Sequence, residues 1–426
     1  MKINLDRVIK DIETLATFTA TPGNGVTRLS YTKEDRAARE YLISEMKKIG
    51  LKVWEDGFSN LFGRREGKNP EAPVILIGSH YDSVTNGGAF DGVAGVVAAL
   101  EVLRVFEENN IENYYPIEII AMNAEEGHRF GVGTGVANSR ALIGRFVEEE
   151  LDLAKDKNGI SKRQAMIEYG FTPDLESAKR PEGSIKTFIE LHVEQGPILD
   201  NNKKEIGLVE DFPGIGRYKV KFQGELKATT APMDIRKDAL VAASKFVLAV
   251  NKILKEIGGG ITGNVGELTI SPNSHQFVPE FAEASVEVRV FDDKVLSEVN
   301  LYEEFKKEIE AIEEETKVKI ELSEVARRGY SNPTPPSHMS AKNNEIAKKI
   351  CDELGYSCMV LKEGTGHDAM MMSEFIPTNM IFVPSKRGGI THHPDEWTEY
   401  EDLKKGIDVL LYSVKELSSS EEMQQD

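Results

Sequence analysis

The residues Val74-Ile75-Leu76-Ile77 are apolar without a break and stop at Gly78, and no other run constrains the chain as much. A strand without polar alternation is buried on both faces, so its sheet needs a layer of helices on either side. Ile117-Glu118-Ile119-Ile120-Ala121-Met122 and Met380-Ile381-Phe382-Val383 read as two more such strands. Between the first two, Val93, Val96, Val97, Leu100, Leu103 and Phe106 recur at helical spacing, and Asp91 is the residue expected to cap that helix. Strand, helix, strand predicts an α/β fold, a central sheet flanked by helices.

A different pattern occupies the middle of the chain. Arg217 to Gln223 alternates like a half-buried strand, and Ile235 to Ile257 reads as a long amphipathic helix. Strands are expected at Gly266 to Ile270 and Ala284 to Phe291, a helix from Lys294 to Thr316, and a strand from Lys317 to Leu322. That β-α-β-β-α-β order predicts a split-βαβ domain, one antiparallel sheet with both helices on one face. Breaker-rich flanks, Val209 to Gly216 and Ser331 to Ser337, mark it as an insertion. The domains expected are therefore a discontinuous outer one, 1–210 with 326–426, and an inserted one, 211–325. The polar tail from Ser418 has the composition of a disordered segment.

Composition narrows the function. A formal net charge of −19 argues against a nucleic-acid backbone or an anionic membrane as partner. No apolar run reaches the roughly 18 residues of a membrane span, and Met1 to Asp6 lacks a signal-peptide layout. Cys351 and Cys358 are too few for a disulfide framework or a thiolate zinc site, so a cytoplasmic protein is expected.

The chemistry then falls to histidines and carboxylates. The first strand runs into Gly78-Ser79-His80-Tyr81-Asp82, placing His80 beyond a strand's carboxyl end, where open α/β sheets hold their functional groups. Asp82 is placed to orient that imidazole, and Asp91 follows in Gly87-Gly88-Ala89-Phe90-Asp91-Gly92. The second strand ends in Asn123-Ala124-Glu125-Glu126-Gly127-His128. Neighbouring carboxylates repel unless a cation or proton separates them. One of the pair can bind a metal while the other, facing the opposite way, serves as general base toward water. His192 lies in Glu190-Leu191-His192-Val193-Glu194-Gln195-Gly196-Pro197, and His392 in Thr391-His392-His393-Pro394-Asp395-Glu396. His128, His275, His338 and His367 each read individually as structural or solvent-exposed. Imidazole and carboxylate without thiolate suit Zn²⁺, Mn²⁺, Co²⁺ or Ni²⁺, and two His-bearing half-sites joined by one carboxylate would form a two-metal hydrolytic centre.

These segments resemble the co-catalytic zinc aminoacylase and carboxypeptidase family. The resemblance is to its branch of N-carbamoyl-L-amino-acid hydrolases, allantoate amidohydrolases and β-ureidopropionases. It is carried by Gly78–Gly92, Asn123–Phe130, Glu190–Leu199, Pro232–Ala239, Gly366–Ala369 and Phe382–Glu396, in family order along nearly the whole chain. The resemblance implies two divalent ions per chain, with His80 and His392 on different ions, Asp91 bridging, and Glu126 and His192 each completing one set. It implies Asp82 as orienter, Glu125 as general base, and Gln195, Arg289 and His367 as substrate contacts. The insertion is similar to the family's lid, which also forms its homodimer contact.

Two departures concern substrate handling. The family's lid carries a histidine shortly before Thr-Pro-Met, whereas Gly224 to Met233 here contains none, and Lys227 lies beside the corresponding position. Gln276 stands where the branch usually has Asn. The expected function is a metal-dependent amidohydrolase acting on a carboxylate-bearing N-carbamoyl or allantoate-like compound. The alternatives are an aminopeptidase, dipeptidase or aminoacylase of the same family, or a metal-binding homologue without catalysis.

Overall fold

A computed structural model describes residues 1–131, 133–326 and 328–419. The polar tail beyond them lies outside the described residues. The chain divides into two compact units, Met1–Glu210 with His338–Asp426, and Asp211–Ser337. The second junction falls twelve residues later than the pattern of the sequence suggests. The reason is local: the Arg217 N–H donates to Asn332 Oδ1 (2.8 Å) and the Thr334 N–H to the Ile215 carbonyl (3.0 Å). The proline-rich segment therefore runs beside the first strand of the inserted unit.

The first unit is built on a mixed sheet. Its strands run in the order Lys52–Glu55, Leu61–Arg65, Ile117–Met122, Val74–His80, Ile185–Val193, Thr378–Val383, Ile206–Phe212 and the short Ser337–His338, with Cys358–Lys362 also paired to Ile206–Phe212. The four central ones, from Ile117–Met122 to Thr378–Val383, are mutually parallel. Every residue of Val74–His80, Ile117–Met122 and Thr378–Val383 is buried, as expected of strands this apolar, and the buried Glu118 accepts from Arg64 (3.0 Å) and Arg180 (2.8 Å). Parallel pairing brings all four carboxyl ends to one edge, with His80 opposite Met122 and His192 opposite Phe382.

The Val93–Glu108 helix is buried from Val93 to Phe106 because it lies between this sheet and the helices Leu5–Thr17 and Tyr400–Ser418. Truncating Leu100, which is fully buried, to Ala would cost about 2–5 kcal/mol. Two of its residues are charged and buried, so they must be paired. Arg7 Nε donates to Glu101 Oε2 (2.8 Å), and Arg104 donates to Asp11 and to Glu45 Oε2 (2.6 Å).

The second unit carries the antiparallel sheet that its pattern predicts, Lys319–Glu324, Gly214–Gln223, Phe281–Val290 and Thr262–Ser271 in that order. Its buried face (Tyr218, Val220 and Phe222 with Ala282, Ala284, Val286 and Val288) packs on the helices Ala239–Ile257 and Leu301–Thr316. Two helices differ from expectation. The first starts at Ala239, where the Asp238 side chain caps Leu240 N and Val241 N, rather than at Ile235. The second is split into Asp293–Glu298 and Leu301–Thr316, because Asn300 caps a new start at Glu303 N. Among the described residues, no helix is long and apolar enough to cross a membrane.

Candidate metal centre

Each candidate ligand comes from a strand end or the loop that follows it. His80 ends its strand with 1% of its surface exposed. Its Nδ1 lies 3.2 Å from the Asp82 backbone carbonyl, and a carbonyl only accepts, so Nδ1 carries the proton. Its Nε2 faces Asp91 Oδ1 at 3.3 Å and Glu125 Oε2 at 3.8 Å. His192 is arranged alike. Its Nδ1 donates to the Val193 carbonyl (2.8 Å), while Nε2 accepts the Gly92 N–H (3.0 Å) and lies 3.2 Å from the same Asp91 Oδ1. His392, half-exposed, sets its Nε2 3.3 Å from Asp91 Oδ2 and 3.4 Å from Glu126 Oε2.

Asp91 is therefore central, and this corrects its reading as a helix cap. Gly92 stands at the N-terminus of the Val93–Glu108 helix with no side-chain cap, and the Asp91 carboxylate turns to the three histidines. Its Oδ2 also accepts the Gln195 amide (2.8 Å). Asp82 does more than face an imidazole. Its Oδ1 is 3.6 Å from His80 Nδ1, and its carboxylate accepts the N–H groups of Glu125 (3.1 Å) and Glu126 (3.3 Å) and the Ser30 hydroxyl (3.3 Å). One aspartate thus fixes both the histidine and the acidic pair.

The charge balance identifies what would satisfy these groups. Burial pushes the Glu125 carboxyl well up, with Asp368, Asp82 and Asp91 adding to it. Burial, then Asp91 and Glu125, does the same to Glu126. Burial opposes charge on His80, yet Glu125, Asp82 and Asp91 carry its pKa well above the usual range. His392 is raised to about 9, chiefly by its contact with Asp91. With their pKa values raised, the imidazoles carry the positive charge that faces these carboxylates, a role that a bound cation would take over, and Glu126 Oε1 is buried without a partner. The donors of His80, Asp91 and His192 lie within 4.8 Å of one another, as do those of Asp91, Glu126 and His392. The residues present therefore fit divalent metal, and a further group of His80, Glu125 and Glu126 overlaps both of these sets. A grouping of Glu190, His192 and His367 is less apt, since Glu190 already accepts the Ser79 hydroxyl (2.6 Å) and the Ala369 N–H (2.8 Å).

Of the expected substrate contacts, Gln195 lies within this cluster. His367 is buried with its ring 4.6 Å from that of His192 and its Nε2 3.1 Å from Thr365 Oγ1. The other three belong to the inserted unit. Arg289 donates to Glu287 Oε1 through Nε (3.0 Å) and Nη2 (2.9 Å), and Lys227 Nζ is 3.3 Å from Glu225 Oε2. Gln276 is exposed, with its carbonyl accepting the Thr229 N–H (3.0 Å). His128, His275 and His338 are exposed and outside every donor group. Sequence reasoning passed over Ser30, Thr391 and Glu396. Only Glu396 gave a signal, as a further carboxylate four residues after His392.

Residues 76–416 match Peptidase family M20/M25/M40. The chain is 39% identical to the N-carbamoyl-L-amino-acid amidohydrolase of Paenarthrobacter aurescens, over 98% of each protein. It is 33% identical to the allantoate amidohydrolase of Bacillus subtilis strain 168, over 96% of this chain and 97% of that protein. Its fold matches the crystal structure of an amidase of the hydantoinase/carbamoylase family from Burkholderia multivorans with a TM-score of 0.86. That match has 30% identity over 98% of this chain and 99% of the other. The shared fold and these full-length likenesses leave one assignment, and the chain belongs to Peptidase family M20/M25/M40.

Proposed function

We propose that the chain is a two-ion amidohydrolase that cleaves a C–N bond of a small, carboxylate-bearing N-carbamoyl or allantoate-like compound. The observation that carries this reading is the position of Asp91, whose two oxygens face two separate histidine-bearing donor sets. His80 and His192 would hold one ion and Glu126 and His392 the other. The names of the relatives in Paenarthrobacter aurescens and Bacillus subtilis support the substrate class.

Divalent ions in such a centre, when bound, acidify water and polarise a carbonyl. Glu125 is the base that takes a proton from the attacking water and returns it to the departing nitrogen as the C–N bond breaks. Asp82 keeps Glu125 and Glu126 at the strand end through their N–H groups. Gln195 and His367 would contact the substrate beside the ions. In the inserted unit, the resemblance assigns Arg289 and Gln276 to substrate binding, and Arg289 suits a carboxylate because its guanidinium donates in a planar fork. Lys227 would supply the positive charge where the resemblance expects a lid histidine.

A homodimer through the inserted unit fits its surface. The Thr262–Ser271 strand is an open sheet edge, and Leu248, on the outer side of the Ala239–Ile257 helix, is 71% exposed. The two thiols are free, which suits the cytoplasm.

The test is a screen of chelator-treated protein, reconstituted with Zn²⁺, Mn²⁺ or Co²⁺, against N-carbamoyl-L-amino acids, allantoate and dipeptides. Turnover of the first two classes is expected. Turnover of dipeptides alone would overturn the substrate assignment.

A further inference from the structure

The carboxylate of Glu396, 4% exposed, reaches the loop that carries Asp91 from 305 residues further along the chain. Its Oε1 accepts the N–H groups of both Phe90 (3.1 Å) and Asp91 (3.0 Å). Its Oε2 accepts the Thr391 hydroxyl (3.3 Å), from the residue before His392. Thr391 Oγ1 in turn accepts the Gln195 amide (3.0 Å), whose other acceptor is Asp91 Oδ2 (2.8 Å). The bonds close a ring through Asp91, Glu396, Thr391 and Gln195.

Two further features adapt the surroundings to this contact. Gly88 leaves the space that the carboxylate fills, since a Cβ there would overlap the Glu396 carboxyl group. The neighbouring aromatics hold the same loop by its side chain, with the Phe90 ring 5.4 Å from Trp397 and 5.6 Å from Tyr400. A buried carboxylate is costly unless its oxygens are matched. Here Oε1 is matched by two N–H groups of the loop that presents Asp91.

We propose that Glu396 is a positioning residue that sets the Asp91 carboxylate between the two donor sets and locks the His392 loop to the Asp91 loop. The inference rests on the reading of Asp91 as the residue shared by two ions. Glu396 itself would touch neither ion nor substrate. Glu396→Gln keeps a carbonyl oxygen for the two N–H groups. Glu396→Ala removes it, and Gly88→Ala displaces it while leaving it in the chain.

The first readout is amide hydrogen exchange of the 88–95 segment in chelator-treated protein, which needs neither metal nor activity. Exchange at Phe90 and Asp91 should be ten-fold or more faster in Glu396→Ala and Gly88→Ala than in the parent, and near the parent rate in Glu396→Gln. The second is Co²⁺ titration followed by visible absorption, where the same two variants should show a ten-fold or larger rise in Kd and Glu396→Gln a parent-like spectrum. Parent-like protection in a folded Glu396→Ala protein overturns the proposal, as does Glu396→Gln exchanging as fast as Glu396→Ala. If Glu396→Ala does not fold, Gly88→Ala decides by the same measurement. A parent that binds no Co²⁺ overturns the two-ion reading instead, and the exchange rates still judge Glu396.

Discussion

Gly92 and the imidazole of His80 compete for one volume, since a Cβ added at Gly92 would overlap the ring. Gly92 also sits at φ +64°, where a side chain costs roughly 1–2 kcal/mol. Gly92→Ala should therefore displace His80 as well as strain the helix start. Its metal content should fall together with a lower melting temperature. A variant that melts early but binds metal like the parent would reduce this relationship to backbone strain.

Glu125→Gln should lower turnover by about 10²–10⁴-fold, the usual loss when a general base is removed. Its metal content should match the parent's, because Glu126 rather than Glu125 is the proposed ligand within the group of His80, Glu125 and Glu126. Loss of metal in Glu125→Gln, measured by elemental analysis, would exchange the roles of the two glutamates.

Ligand removal should separate the two sets. His192→Ala and His392→Ala should each retain one ion per chain of two, and Asp91→Ala should retain neither tightly. Retention of both ions by either histidine variant would exclude the shared-aspartate arrangement.

Lys162 offers a pH test away from the centre. Burial and the neighbouring Arg140 push its pKa down to about 7 from 10.5, against the pull of Glu150 and Asp82. The unfolded chain then binds this proton more tightly, so stability rises with pH between about 7 and 10.5. Lys162→Met should raise the melting temperature most below pH 7, with the gain shrinking toward pH 10. A gain independent of pH would mean that packing against Phe130 and Phe146, not charge, sets the cost.

Arg289→Ala should raise KM for carboxylate substrates far more than for their amide analogues. Equal losses on both would leave Arg289 as a structural partner of Glu287, to which it donates in this structure.

The sheet was legible because unbroken apolar runs admit few layouts, and its strand ends pointed to His80, Glu125 and Glu126. His392 was legible as a histidine after the Met380–Val383 run, whereas the strand that carries His192, Ile185–Val193, was not legible because Lys186, Thr187 and Glu190 interrupt its apolar residues. Asp91 was ambiguous at first sight, since an aspartate just before a helix is the ordinary capping signal, and only the turn at Gly92 frees its carboxylate. Asn300 hid for a related reason, because capping inside an amphipathic stretch leaves the apolar period intact. Glu396 and Thr391 could not be assigned roles from the sequence, as their partners are hundreds of residues away and meet only in the folded sheet.

The order of strands in that sheet also has a consequence in time. Ile185–Val193 pairs with Thr378–Val383, and the whole inserted unit lies between them in the chain. At about 5–20 residues per second, a ribosome takes roughly 10–40 s to make the intervening stretch. The inserted unit, which ends at Ser337, is finished before Thr378–Val383 is made, and until then Ile185–Val193 presents an unpaired edge on that side, the kind of surface that recruits chaperones or aggregates. Recovery of native protein from fast expression should therefore be limited by the last third of the chain, and slowing synthesis after residue 193 should not help.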